Sequence, residues 1–168
     1  MSDPLRVLFV CTGNLCRSPL ARAMLDAEAA LQGLAHRLET ASAGTHARDG
    51  QACPPAQLEI AAAHGLDLSG HRARRLTARD FTDFDVLVAL DLGHLDQLNF
   101  MRPQDARAEQ MLLLSGVDEA GTIEVPDPYG GSARGYAHAA DLIRMGVRHL
   151  LARLLPVQAR EPINARGR

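Results

Sequence analysis

Apolar and polar positions follow two different rhythms along the chain, and their order predicts the architecture. Short, nearly continuous apolar runs, typical of strands buried on both faces of a sheet, lie at residues 5–10, 86–90 and 111–114. The segment 38–43, which ends at Gly44, predicts a further strand, second in chain order. The sequence therefore predicts four strands separated by longer segments.

Those longer segments show the spacing of amphipathic helices. Ser18 and Pro19 suit a helix start, since serine is a frequent N-cap and proline fits the first turn. Later starts are indicated by Pro54-Pro55 and by the segment 77–80, and Asp91 is placed to cap the helix after the third strand. The predicted buried stripe of the first helix is Leu20, Met24, Ala27 and Leu31. That of the last helix is Tyr136, Ala140, Ile143, Val147, Leu150 and Leu154.

Strands that alternate with helices predict a single-domain α/β fold, a doubly wound four-stranded parallel sheet with helices on both faces. Residues 1–156 are the expected domain, and 157–168, poor in apolar residues, an expected flexible tail. In such sheets ligands bind beyond the carboxyl ends of the strands, where the winding direction switches. We therefore expect one crevice to gather the residues that follow the four strands, namely Cys11, Ser42 with Gly44, Asp91 and the loop of Asp127.

The composition of the chain mainly excludes classes of function. The 168 residues carry a net charge of −2, which gives no general attraction to nucleic acid or to an anionic membrane. No window approaches the roughly 20 apolar residues of a membrane span, and there is no signal-peptide layout. Three cysteines in a chain of this length form no disulfide framework and favour the reducing cytoplasm. All 18 basic residues other than histidine are arginine, which excludes lysine-dependent chemistry.

The segment between the first strand and the first helix carries the candidate chemistry. It reads Cys11-Thr12-Gly13-Asn14-Leu15-Cys16-Arg17-Ser18. A loop between a strand end and a helix start can curl its backbone N–H groups into an anion nest, and the helix dipole favours negative charge there. Arg17 can donate to two phosphate oxygens, and the same field favours the Cys11 thiolate.

Other members of this loop have expected backbone or hydrogen-bonding roles. Gly13 permits a positive φ or a close backbone approach, and Asn14 tolerates the left-handed region. Ser18 either donates its hydroxyl to the thiolate or caps the helix. A thiolate that attacks phosphorus also needs an acid for the leaving group, and Asp127, between two prolines, is the candidate. Its rival is Asp91.

Four segments, "VLFVCTGNLCRSPLARAM", "ASAGT", "HGLDLSGHRAR" and "VPDPYGG", closely resemble the low-molecular-weight protein tyrosine phosphatases, in an order that runs from Leu5 to Leu154. The resemblance implies a metal-free, cofactor-free, two-step reaction through phosphocysteine, with Cys11, Arg17 and Asp127 as catalytic residues. It implies phosphotyrosine proteins as substrates, with a bacterial tyrosine kinase among the candidates, and a monomer. Residues implied in substrate binding are Thr12, Gly13, Asn14, Leu15, Cys16, Ser18 and Tyr129. Ser42 and His71 match the supporting hydrogen-bond network. Cys16 matches a second loop cysteine, which either forms a reversible disulfide with Cys11 or only packs.

The chain also departs from the family pattern. Tyr129 is followed by Gly130-Gly131 where many members have a second aromatic residue, and His94 falls where asparagine is frequent. Arg72, Arg74 and Arg75 are expected to form a solvated basic cluster, with Arg74 or Arg75 as possible contacts for an acidic substrate.

Three rival functions are weighed against this one. An arsenate reductase needs further cysteines, and residues 80–99 contain none. A protein-arginine phosphatase tends to carry a small polar residue where Leu15 stands. A non-catalytic phosphate-binding module would be expected to lack Cys11, Arg17 or Asp127.

Overall fold

The structure, a computed structural model, describes residues 2–156. Its strands are β1 Leu5–Cys11, β2 Leu38–Gly44, β3 Val86–Ala89 and β4 Glu109–Leu112. Its helices are α1 Arg17–Leu31, α2 Pro55–Ala63, α3 Asp80–Asp83, α4 Leu92–Met101 and α5 Ala133–Leu154, with 3₁₀ turns at Ala35–Arg37 and Asp118–Ala120. The tail predicted for residues 157–168 lies outside the described residues, so it stays a prediction, as does the domain boundary.

The four strands form one parallel sheet in the order β2-β1-β3-β4. The central strand β1 pairs with β2 along its whole length and with β3 from Val7 to Val10. The chain leaves β1 toward β2 and then crosses to β3 on the other side, so the winding direction switches at the carboxyl end of β1. This confirms the predicted doubly wound sheet, and it places the loop after Cys11 at the switch point.

Alternate residues of β1 point into two separate cores, as the strand period of two requires. Val7 and Phe9, both fully buried, pack in the cluster that contains α1 and α5. Leu8 and Val10, also fully buried, pack in the cluster that contains α3 and α4. Helices therefore cover both faces of the sheet, which explains why the central strands read as continuous apolar runs.

The fourth strand differs from its prediction because hydrophobicity reports burial rather than backbone conformation. β4 spans Glu109–Leu112, whereas the apolar run had placed it at residues 111–114. Leu113 and Leu114 stay buried after the strand has ended.

The buried face of α1 also differs from its predicted stripe. Leu31 is 83% exposed, whereas Leu25 and Ala29 are buried. The buried face therefore centres to one side of the predicted stripe, which leaves Leu31 at its edge in the last turn of the helix.

The long helix α5 packs against the end of β4 through a glycine. Ser132 caps the helix by accepting a hydrogen bond from the amide of Gly135 at 3.2 Å. Farther along, a Cβ built on Gly146 would lie 2.6 Å from Leu113 Cγ and 3.0 Å from Leu114 Cδ2. Only glycine therefore lets α5 approach the sheet this closely.

Gly146→Ala should destabilise the protein by about 1–3 kcal/mol, the usual cost of overpacking a core. Gly135→Ala is the matched control in the same helix, because its Cβ would meet only Ser132 Oγ at 3.7 Å. That change should be neutral or stabilising by up to about 1 kcal/mol, since alanine favours helix. Urea unfolding of both variants measures the difference, and equal stabilities would contradict the proposed contact with Leu113.

Candidate active site

The loop after β1 turns at Asn14. Asn14 has φ of 54° and is the one non-glycine residue with positive φ among residues 2–156. Its buried side chain donates from Nδ2 to Ser18 Oγ at 2.8 Å and to Ser42 Oγ at 2.9 Å. Gly13 does not share this conformation, so the positive φ considered for it is wrong, and close backbone approach remains its expected role.

A second set of contacts anchors Asn14 from the segment 71–75, which we call the strap. The amide of Arg74 donates to Asn14 Oδ1 at 3.0 Å, and His71 Nε2 donates to the Asn14 carbonyl at 2.7 Å. Burial lowers the pKa of His71, and the hydrogen bond to Asn14 opposes this only in part, so the ring is neutral near pH 7. The strap therefore fixes both the side chain and the backbone of Asn14.

Arg74, predicted to belong to a solvated basic cluster with Arg72 and Arg75, is only partly exposed and holds the strap in place. Its guanidinium makes two hydrogen bonds to the carboxylate of Asp80, at 3.0 and 3.1 Å. Asp80 is buried and also accepts from the amide of Thr77 at 2.8 Å. Because this carboxylate is buried and fully used, the pair orients the strap rather than an external ligand.

The end of β2 approaches the same loop so closely that only glycine fits there. A Cβ on Gly44 would lie 2.5 Å from the carbonyl oxygen of Thr12 and 2.9 Å from the amide nitrogen of Asn14. Just beyond it, the amides of Thr45 and His46 donate to the carbonyls of Cys11 and Thr12, each at 2.9 Å. The carbonyls of Cys11 and Thr12 are thus hydrogen-bonded to the residues that follow β2.

The loop amides, by contrast, are left free. Within residues 2–156, no protein acceptor takes a hydrogen bond from the backbone N–H groups of residues 12–17. Buried amides without partners are costly, so a row of them at the start of α1 indicates a site for an external acceptor. The row supports the anion nest expected from the sequence.

Cys11 lies at the base of this loop, and only 3% of its surface is exposed. Its Sγ is 2.9 Å from Ser18 Oγ. Ser18 Oγ accepts from Asn14 Nδ2, so its own proton can go to the sulfur or, over a longer 3.5 Å, to the carbonyl of Ala43. Of the two roles considered for Ser18, helix cap and hydrogen-bond partner of the thiol, only the second agrees with the structure. Ser18 lies inside α1, and Cys16 occupies the N-cap position without a side-chain cap bond.

Arg17 lies at the other end of the loop and is almost fully buried. Its Nη1 donates to Asp91 Oδ2 at 2.8 Å and to the carbonyl of Val125 at 2.9 Å, which uses both Nη1 hydrogens. Nη2 has only weaker neighbours, His94 Nε2 at 3.4 Å and Asp127 Oδ2 at 3.7 Å. The Nε and Nη2 side of the guanidinium is therefore the side that can bind an anion.

Asp91 and Asp127 take different positions around Arg17. Asp91 caps α4, as predicted, by accepting from the amide of His94 at 2.9 Å, and it also binds Arg17. Partial burial would raise the pKa of Asp91, but the amide and ring of His94 and the charge of Arg17 together lower it. Asp127 has a side chain that is 54% exposed. It accepts from the amide of Tyr129 at 3.1 Å.

The loop of Asp127 is tied to the sheet. The amide of Val125 donates to the carbonyl of Leu90 at 2.9 Å, directly after β3. This bond brings Asp127 within reach of Arg17 across 110 residues of chain. Tyr129, which follows, is 59% exposed.

The other two cysteines are buried thiols. Burial raises the pKa of Cys16 to about 12, with a hydrogen bond to Tyr136 as a partial offset. Burial likewise raises the pKa of Cys53 to about 11. Both therefore stay protonated at neutral pH, and all three cysteines are unpaired in the described structure. A disulfide between Cys11 and Cys16 stays a prediction.

His94 is a residue of the site whose contacts the sequence reasoning missed. It is buried, and its Nε2 is 2.8 Å from Thr12 Oγ1. The available signal was its place three residues after the cap Asp91, in the first turn of a helix that starts at the carboxyl edge of the sheet.

Residues 2–156 contain no group of three or more His, Cys, Asp or Glu residues arranged to bind a metal ion. In the same part of the chain, no helix has both the length and the apolar character to cross a membrane.

Comparison with known proteins gives a consistent result. A family model described as low molecular weight phosphotyrosine protein phosphatase matches residues 6–159. A low molecular weight protein-tyrosine-phosphatase of Streptomyces coelicolor is 39% identical over 151 residues, which cover 88% of this chain and 92% of that protein.

Solved structures agree with the sequence comparison. A low molecular weight phosphotyrosine phosphatase of Vibrio cholerae has a TM-score of 0.83 at 30% identity, over 90% of this chain and 97% of that one. The YwlE arginine phosphatase, solved as a mutant with a phosphorylated active-site serine, has a TM-score of 0.81 at 27% identity, over 92% and 98%. These likenesses place the chain among the cysteine-dependent phosphatases. It belongs to the low molecular weight phosphotyrosine protein phosphatase family.

Two substitutions at Asn14 separate its backbone role from its hydrogen bonds. Asn14→Gly keeps the left-handed turn but removes the side-chain bonds to Ser18, Ser42 and Arg74, and should lower the free energy of unfolding by about 1–3 kcal/mol. Asn14→Ala should cost about 1 kcal/mol more, because alanine disfavours positive φ. Denaturant unfolding measures both, and equal stabilities of the two variants would contradict a strained turn at this position.

Proposed function

We propose that the chain hydrolyses aryl phosphate monoesters, phosphotyrosine in proteins above all, through a phosphocysteine on Cys11. One arrangement carries the proposal. A cysteine with a hydroxyl 2.9 Å from its sulfur lies at one end of a loop of unpaired amides, and a buried arginine with one free side lies at the other. It provides a nucleophile and donors for a phosphoryl group without a metal.

In the first step the Cys11 sulfur attacks phosphorus and the bond to the leaving-group oxygen breaks. The loop amides and the Nε and Nη2 side of Arg17 bind the three nonbridging oxygens, whose charge they stabilise as the transition state forms. The Ser18 hydroxyl donates to the thiolate, so the sulfur is held toward the phosphorus before bond formation.

Asp127 supplies the proton that the leaving phenolate needs. Its exposed carboxyl group lies at the mouth of the site, 3.7 Å from Arg17 Nη2, where it can exchange protons with solvent. In the second step the same group accepts a proton from water as the water attacks the phosphocysteine, which releases inorganic phosphate and restores the thiolate.

Substrate preference follows from the walls of the site. Leu15 is buried in an apolar cluster with Ala47, Ala73 and Tyr136, so it offers no polar partner to the guanidinium of phosphoarginine. Tyr129 is exposed and can stack on one face of an aryl ring, whereas Gly130-Gly131 leaves the opposite face open. These features favour flat aryl groups over the long chain of phosphoarginine. Similarity to the YwlE arginine phosphatase makes phosphoarginine the comparison substrate.

Steady-state hydrolysis of p-nitrophenyl phosphate, under reducing and metal-chelated conditions, tests the proposal. The wild type should turn over, and Cys11→Ser should abolish turnover while it still binds inorganic phosphate, because the donors remain. A phosphotyrosine peptide should be a better substrate than its phosphoarginine counterpart. Retained turnover in Cys11→Ser would remove Cys11 from its role, and preference for phosphoarginine would reassign the substrate class.

The role of Asp127 is tested by varying the leaving group. Asp127→Ala should slow phenyl phosphate by about 10²–10⁴-fold, the usual contribution of a general acid. Activated aryl phosphates, whose phenolates leave unprotonated, should slow much less. Asp118→Ala, an exposed carboxylate in a 3₁₀ turn outside the site, is the matched control and should leave all rates unchanged. Equal slowing of good and poor leaving groups would count against Asp127 as the acid.

A further inference from the structure

His94 joins the two ends of the phosphate-binding loop. Its Nε2 is 2.8 Å from Thr12 Oγ1, in the first residue after the cysteine, and 3.4 Å from Arg17 Nη2, in the last residue of the loop. The ring lies at the start of α4, so it also connects the loop to the carboxyl end of β3. One nitrogen atom therefore contacts both the side chain of the first loop residue after Cys11 and the guanidinium proposed to bind the anion.

The chemistry of these partners assigns the tautomer. An arginine Nη2 can only donate, so the Nε2 that faces it must be an acceptor without a proton. The Thr12 hydroxyl then donates to the same atom. The proton of the neutral ring therefore lies on Nδ1, 3.1 Å from Asp91 Oδ1. That contact is short, but its geometry is not that of a hydrogen bond, so Nδ1 has no hydrogen-bond partner among the described residues.

The surroundings keep the ring neutral. Burial lowers the pKa of His94 to about 4, helped by the positive charge of Arg17 and opposed by Asp91 and Asp127; His46 also lowers it. A protonated ring would present a second donor to Arg17 and could no longer accept from Thr12. The buried histidine is therefore an uncharged acceptor near neutral pH.

We propose that His94 is a positioning residue, whose Nε2 accepts from the Thr12 hydroxyl and from Arg17 Nη2 and thereby sets the loop for an anion before one binds. A carboxylate in its place would compete with phosphate for Arg17, whereas a neutral acceptor at 3.4 Å holds Nη2 weakly enough to release it. Asp91 and Val125 keep Nη1 in place during this exchange. The inference rests on the proposed function only in that the loop binds a phosphate group.

Binding of inorganic phosphate to the full-length protein, measured by calorimetric titration, tests His94 without depending on turnover. His94→Leu keeps an apolar bulk but has no acceptor, and should weaken phosphate binding by about tenfold, the size expected for lost hydrogen bonds beside a charged group. His94→Gln can place its Oε1 near the position of Nε2, and should stay within about twofold of the wild type. The exposed His36, changed to Gln, is the control and should bind as the wild type does.

A second pair of variants tests the same hydrogen bond from its other end. Thr12→Val should weaken phosphate binding, Thr12→Ser should restore it, and the effects of Thr12→Val and His94→Leu should be less than additive. This pair decides the matter if His94→Leu does not fold. Equal losses in His94→Gln and His94→Leu, or a lower melting temperature with unchanged phosphate binding, would overturn the proposal.

These results stand apart from the proposed function. A wild type that binds phosphate with this pattern but hydrolyses no aryl phosphate would retain the role of His94 and refute the phosphatase proposal. If the wild type hydrolyses aryl phosphates but substitutions of His94 and Thr12 leave phosphate affinity unchanged, the phosphatase proposal stands and the role of His94 is refuted.

Discussion

The structure depends on a loop that must keep its backbone amides free of protein acceptors. Such amides favour collapse onto the nearest carbonyl, so the surrounding elements must hold the loop open. Asn14 is the point at which they do so: its left-handed backbone makes the turn, and Ser18, Ser42 and the strap take up its polar atoms. The strap is in turn held by the ion pair of Arg74 with the buried Asp80, and the absence of a side chain at Gly44 lets β2 approach the loop closely. These polar contacts thus all stabilise the backbone turn at Asn14.

The charged side chains around the loop leave one side of the Arg17 guanidinium without a close carboxylate. Arg17 is buried, but one carboxylate, Asp91, binds the Nη1 side and leaves the other side free. Asp127 stays at a greater distance and in contact with solvent, which suits the general-acid role proposed for it. His94 is neutral, so it adds an acceptor without adding a charge. An arriving phosphate dianion therefore meets the Nε and Nη2 side of Arg17 and a row of unpaired amides, while the nearer carboxylate, Asp91, is bound to the Nη1 side.

The reading of the sequence succeeded where information was local. The alternation of apolar runs and helical stripes predicted a four-stranded parallel sheet covered on both faces, and the structure has that sheet. It failed at β4 and at Leu31, because burial continues past the end of a strand and stops before the end of a helix. Local pattern also left Ser18 with two roles, since a cap and a thiol partner need the same hydroxyl.

The sequence by itself determined the fold class and the composition of the loop from Cys11 to Ser18, because period and turn chemistry are properties of neighbouring residues. The switch point of the sheet then followed, and with it the meeting of Cys11, Arg17 and Asp127 at one edge. Tertiary structure alone decided that the strap, through the amide of Arg74, would anchor Asn14, and that His94 would lie between the two ends of the loop. Both outcomes depend on contacts across about 60 to 80 residues of chain. Such contacts are set by how helices and loops pack on the sheet, and no periodicity along the chain encodes them.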